Sequence, residues 1–140
     1  MSELSYFFKE NKKETKNTKY VASESFIDPK TKKPLEWEIR PLRSNEADTI
    51  RLECATFGKN GQRTGVDDAR FNKVMAARCT VFPDLNDKEL QNSYGVLDAP
   101  NLIEAMLDID GEYQQYLAKI TEISKYSVDS MNALVKEAKN

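Results

Sequence analysis

The chain has 140 residues, with 39% hydrophobic and 31% charged side chains and a formal net charge of −2. That is one domain's worth of chain, long enough to bury roughly two thirds of its unfolded surface without help from a metal or a disulfide. It contains no histidine, which excludes Ser-His-Asp and Cys-His nucleophile systems, histidine-ligated metals and a histidine pH switch.

The charge balance gives no general pull toward nucleic acid or anionic lipid. No apolar run approaches the ~20 residues that span a bilayer, and residues 1–13 are too charged for a signal peptide. A cytoplasmic protein without membrane or nucleic-acid partners is therefore expected. Cys54 and Cys79 sit in helical patterns among apolar neighbours and read as two buried thiols. With only these two cysteines, 25 residues apart and no CxxC pair, a zinc ribbon is excluded.

In chain order, Leu4, Phe7 and Phe8 have helical spacing and read as a short apolar anchor. Lys9 to Lys19 carries five lysines and no apolar residue, the pattern of a mobile linker. Asp28-Pro29-Lys30-Thr31 is turn chemistry. Leu35 to Arg40 alternates strictly between apolar and charged, the period of a half-buried strand. A β-hairpin is expected here with Trp37 and Ile39 inward, and Pro41 stops the strand or marks a sheet edge.

From Ser44 the pattern is helical. Ser44 is placed to cap a helix whose face carries Ala47, Ile50, Cys54 and Phe57, with Gly58 as its stop. Residues 58–65 form a polar, glycine-rich connector bearing Lys59 and Arg63. Asp67 and Asp68 open a second helix whose stripe is Phe71, Val74, Met75, Arg78, Cys79 and Phe82, ended by Pro83. Leu85 to Leu90 fits a capping box and a hydrophobic staple, with Asn86 as cap, Glu89 reaching back and Leu85 on Leu90. That short helix stops at Gly95. Another starts near Asp98-Ala99-Pro100 and buries Leu102, Ile103, Met106 and Leu107. Asp110-Gly111 opens a longer one bearing Tyr113, Tyr116, Leu117, Ile120 and Ile123. Ser127 caps a last amphipathic stretch with Val128, Met131, Leu134, Val135 and Ala138 on one face. The expected organisation is thus residues 1–18 as anchor and linker, 19–125 as hairpin plus helical domain, and 126–140 as a C-terminal helix.

The chemical motifs fail on inspection. A Walker loop needs a lysine after its second glycine, but Lys59 follows the first glycine of the 58–65 loop, and no strand is expected before it. Asp108-Ile109-Asp110-Gly111-Glu112 puts glycine four positions in, where an EF-hand needs it at six. No pair among the 23 acidic residues stands out for acid–base work. Charge is uneven, however. Residues 84–112 hold eight carboxylates against Lys88 alone, and residues 1–43 carry a net +3. This suits self-association or a partner with a basic surface, or simply solvated faces.

Five stretches carry a family resemblance: Trp37-Glu38-Ile39-Arg40-Pro41, Phe82-Pro83-Asp84-Leu85, Leu90-Gln91-Asn92-Ser93-Tyr94-Gly95, Met106-Leu107 and Gly111-Glu112-Tyr113. In content, order and spacing the chain resembles the XkdN-like tail assembly chaperones of phages and phage-like elements infecting Gram-positive bacteria. The resemblance spans about residues 4–125, and 126–140 fall outside it.

It implies a mainly α (α+β) fold and a non-enzymatic protein with no cofactor and no catalytic or metal-binding residues. Such proteins bind the tape-measure protein, keep it soluble and help tail-tube subunits polymerise around it. Many are also made in a longer form by translational frameshifting. Physically, a chaperone covers exposed apolar helix faces by reversible helix-in-groove contacts. Adaptable surface from Met75, Met106 and Met131 suits this, as do Tyr94 beside Gly95 and the 128–138 face with Met131, Leu134 and Val135. The tape-measure protein is the expected partner, with the tail-tube protein and a second copy of the chain as further candidates. A structural tail component retained in the mature particle is the alternative.

Overall fold

The computed structural model describes residues 3–126. Its elements are short: strands β1 (Thr18–Tyr20) and β2 (Trp37–Ile39), helix α1 (Ser44–Glu53), strands β3 (Ala55–Phe57) and β4 (Arg63–Val66), helix α2 (Asp68–Cys79), strand β5 (Thr80–Phe82), and helices α3 (Lys88–Ser93), α4 (Ala99–Met106) and α5 (Asp110–Ile123). The fold is mainly α with two small antiparallel sheets.

β1 and β2 pair antiparallel with Tyr20 opposite Trp37. Between them the chain turns where expected. Asp28 Oδ1 accepts from the Lys30 amide at 2.8 Å, and the Lys32 amide donates to the Asp28 carbonyl at 2.8 Å. Lys32 sits at φ +62°. Trp37 and Ile39 face inward, 2% and 0% exposed. β2 is not an edge, however. β5 pairs antiparallel along its other side, giving the order β1-β2-β5. Pro41 therefore only ends the strand.

Two expected helices are shorter than their apolar spacing implied. α1 ends at Glu53, and residues 55–57 form β3 instead of a last helical turn. Ala47, Ile50 and Cys54 are buried as expected, but Phe57 is 64% exposed. The cap also lies one residue earlier, at Arg43, whose amide donates to Glu46 Oε1 at 3.2 Å. α2 ends at Cys79, and Thr80–Phe82 become β5, so Phe82 leaves the helical stripe and is 55% exposed. In both places β-branched residues (Thr56, Thr80, Val81) find a strand partner, which outweighs one more helical turn. The expected 58–65 connector is consequently part of a β3–β4 hairpin: residues 58–62 are its tip, with Gly61 at φ +74°, and 63–65 belong to β4, held by a Thr56–Thr64 hydroxyl pair at 2.9 Å. A strand does precede this loop, but Lys59 still stands at the wrong glycine for a Walker loop.

The remaining helices follow their caps. Asp67, Asp87 and Asp98 each accept the amide three residues on, from Arg70, Leu90 and Asn101 at 3.1, 2.9 and 2.9 Å. The α3 cap is therefore Asp87 and not Asn86, whose own amide is taken by Asp84 Oδ1 at 3.0 Å. α3 closes with paired bonds from the Gly95 amide to the Asn92 carbonyl and from the Val96 amide to the Gln91 carbonyl. With Gly95 at φ +67°, this is a Schellman ending, and only glycine enters it without strain.

The core forms where α2 packs on α4, α1 and α5. Val74, Met75, Ala76 and Cys79 of α2 meet Ile50, Leu102, Ile103, Leu107 and Ile120. The three-stranded sheet covers α5 through an aromatic cluster. The Trp37 ring stands edge-on to Tyr116 at 5.5 Å between centroids, and Tyr20 and Phe26 flank the pair. Tyr116 is fully buried, and its hydroxyl bonds Thr80 Oγ1, which also donates to the Ala76 carbonyl at 2.7 Å. Arg40, just past β2, grips Glu46 of α1 with two 2.7 Å bonds. Ser124 Oγ accepts from the Leu42 amide at 2.9 Å, tying the end of α5 to the same stretch.

Residues 3–17 depart from the anchor expected there. Two 3-10 turns, Glu3–Phe7 and Lys9–Asn11, occupy the segment. Every residue in it except Ser5 is exposed, and Phe7 and Phe8 are 83% and 49% exposed. Part of the expected linker is ordered, since Lys9–Asn11 is helical and Thr18–Tyr20 is β1. The amphipathic stretch expected after Ser127 lies outside the described residues.

Candidate interaction surface

The acidic stretch 84–112 folds into α3, α4, the start of α5 and their links. Part of its charge is used locally. Asp84, Asp87 and Asp98 accept backbone amides, and Glu112 accepts from the Ser23 hydroxyl at 2.9 Å. Glu89, Glu104 and Asp108 lie exposed on the outside.

The two links place apolar side chains among these carboxylates. Gly95 ends α3 and leaves Tyr94 at 37% exposure; Leu97 follows at 87%, and Ile109 between α4 and α5 stands at 61%. A shallow groove of about 460 Å³ runs beside Leu97, lined also by Asp98, Asn101, Glu104 and Ala105, while on its other side Leu97 borders a groove with Arg78 and Lys88. The electrostatics agree with this placement. Burial, and then Asp108, push the Tyr94 phenol above its ordinary value. Burial, and then Glu104 and Asp110, do the same for Tyr113. Exposed apolar side chains with carboxylates close by suit a basic amphipathic partner.

Of the residues expected to meet a partner, Tyr94 lies on this face. Met106 does not: with Met75 it belongs to the core, at 7% and 2% exposed. A methionine at helical spacing fills a core gap as readily as it adapts to a partner, and here the α2–α4 contact claims both. Met131, Leu134 and Val135 lie outside the described residues. Leu97 and Ile109 lie in links, which have no periodicity to mark an exposed apolar residue in the sequence.

Elsewhere, a groove of about 310 Å³ between α1, α2 and α5 is lined by Arg51, Val66, Phe71, Met75, Thr121 and Tyr126, with the Arg51 guanidinium 5.8 Å from the Phe71 ring centre. Both cysteines are free thiols in the core. Burial pushes Cys79 up to about 11, far from a reactive thiolate. Among the described residues no group of three or more Cys, Asp or Glu is placed to hold a metal, and no helix is long and apolar enough to cross a membrane.

The architecture is that of YqbN, whose crystal structure superposes with a TM-score of 0.77 at 23% identity, covering 91% of this chain and 99% of that one. In sequence, the uncharacterized protein YqbN of Bacillus subtilis (strain 168) is 28% identical over 142 residues, covering 99% of this chain and 93% of YqbN. The phage-like element PBSX protein XkdN of the same organism is 30% identical over 142 residues, covering 99% of this chain and 94% of XkdN. The model of the phage XkdN-like tail assembly chaperone proteins matches residues 4–139, and the chain belongs to that family.

Proposed function

We propose that this protein binds the tape-measure protein in the host cytoplasm and assists assembly of the tail tube around it, without catalysing a reaction. Membership of the tail assembly chaperone family over residues 4–139 carries the reading. A tape measure exposes long apolar helix faces before the tube encloses it, and a chaperone must cover them reversibly. The Tyr94–Leu97–Ile109 face offers apolar contacts with an acidic surround for a basic helical segment. The amphipathic sequence at Met131, Leu134 and Val135 is a second candidate contact, and the tail-tube protein a second candidate partner.

Co-expression with the tape-measure protein encoded nearby, affinity capture and light scattering on a sizing column test the proposal. A soluble complex of defined stoichiometry is expected. A tape measure that still aggregates, with nothing co-purifying, refutes it for this chain. Mass spectrometry of purified particles checks the role: near-stoichiometric copies per tube subunit would make the protein a structural component instead.

A further inference from the structure

We propose that the protein self-associates, the aromatic segment at Tyr6, Phe7 and Phe8 of one copy docking on the acidic α3–α5 face of another. Two surfaces of this chain complement each other and lie on separate elements. On one, three consecutive aromatic side chains are 64%, 83% and 49% exposed. They are followed by Lys9 to Lys19, which holds five lysines against two glutamates. On the other, Tyr94, Leu97 and Ile109 are exposed beside Glu104 and Asp108. The first surface offers apolar rings followed by positive charge; the second offers apolar side chains with Asp98, Glu104 and Asp108 close by, although Arg78 and Lys88 border Leu97 on its other side.

Three adjacent exposed aromatics exceed the scattered apolar residues usual on a monomer surface. Residues 12–17, beyond the Lys9–Asn11 turn, span roughly 20 Å at up to about 3.3 Å each, enough to carry the aromatic segment away from its own copy. The occupant is a second copy because the charge match is written into one chain. Since each copy carries both surfaces, the contact closes as a reciprocal two-fold exchange or continues as a ring or an open chain. The acceptor is the same face offered above to a client, so self-association and client binding compete for it, and the mixing test below reads self-association with no client present.

Sedimentation velocity on the full chain tests it. Association should rise with protein concentration and weaken at least about tenfold in Kd between about 0.05 and about 0.5 M salt. A Phe7→Ser/Phe8→Ser variant loses the donor surface, and a Leu97→Lys/Ile109→Lys variant loses the acceptor. All four positions are exposed, so circular dichroism and melting should stay native. Each variant alone should sediment as a monomer. A mixture of the two should form one-to-one dimers, because each keeps the half the other lacks. The proposal is overturned if the wild-type chain is monomeric at every concentration, as when the segment folds back on its own copy. It is equally overturned if either variant associates like the wild type, or if the mixture stays monomeric.

Discussion

Removing the hydroxyl pair between α2–β5 and α5 should cost unequally from its two ends. Thr80 Oγ1 commits its one proton to the Ala76 carbonyl at 2.7 Å, so the Tyr116 hydroxyl must be the donor between them. Tyr116→Phe removes that donor and leaves Thr80 its other bond; the expected cost is about 1 kcal/mol. Thr80→Val strips the acceptor from a phenol in a fully buried residue and a donor from the Ala76 carbonyl. An orphaned buried donor and one lost bond together come to about 2–4 kcal/mol, while valine suits the strand backbone. In the double variant the orphaned phenol no longer exists, so its cost should fall short of the sum by about 1 kcal/mol or more. Urea unfolding followed by tryptophan fluorescence measures all three, because Trp37 is the only tryptophan and stands 5.5 Å from Tyr116 between ring centroids. Equal costs, a reversed order, or additivity within about 0.3 kcal/mol would refute the donor assignment.

Alkaline pH should unfold the protein early. Burial holds Cys79 at about 11 against an ordinary 9.0 and raises Tyr116 above its own usual value, so the unfolded chain releases these protons first. Stability is then level below about pH 9 and falls above it, by about 2–3 kcal/mol from Cys79 alone at pH 11; an unchanged urea midpoint between about pH 8 and pH 10.5 would contradict this. On the acid side, the Arg40 bonds lower the Glu46 carboxyl from its ordinary 4.5, so its contribution is present above that value and lost as pH falls through the folded one. Glu46→Gln should cost about 1–2 kcal/mol at neutral pH, discounted for partial exposure, and should flatten the acid limb of a stability–pH curve. Gly95→Ala and Gly111→Ala should shift the melting temperature in opposite directions. Both sites are open to a methyl group, but Gly95 sits at φ +67° and costs about 1 kcal/mol, whereas Gly111 lies in the first turn of α5 and gains up to about 0.5–1 kcal/mol.

What the sequence made legible was whatever spans several periods. The alternation through Trp37 and Ile39 predicted an inward-facing strand, and the stripes of α4 and α5 matched the core at Leu102, Ile103, Leu107, Tyr116 and Ile120. β3 and β5 have no alternating flank like Leu35–Arg40, and Phe57 and Phe82 keep the helical spacing of the stripes before them, so both strands read as a last helical turn although these rings face outward. The cap of α3 slipped by one residue because Asn86 and Asp87 are both good caps, and only the Asp84 contact decides between them. At the candidate surface, Tyr94 stood out beside its glycine. Leu97 and Ile109 are single apolar residues in links, and only the placement of α3, α4 and α5 brings them among the carboxylates.

The central position of β2 orders events during synthesis. Its partner β1 lies just upstream and pairs locally, but β5 begins at Thr80, after α1, the β3–β4 hairpin and all of α2. Until that stretch leaves the ribosome, one side of β2 presents unpaired amides and carbonyls, and the Trp37 ring lacks the Tyr116 edge that covers it. Closing the sheet means closing a loop of some forty residues, a non-local and therefore slow step. The nascent chain thus passes through a stage in which it presents an open strand edge and an uncovered aromatic ring.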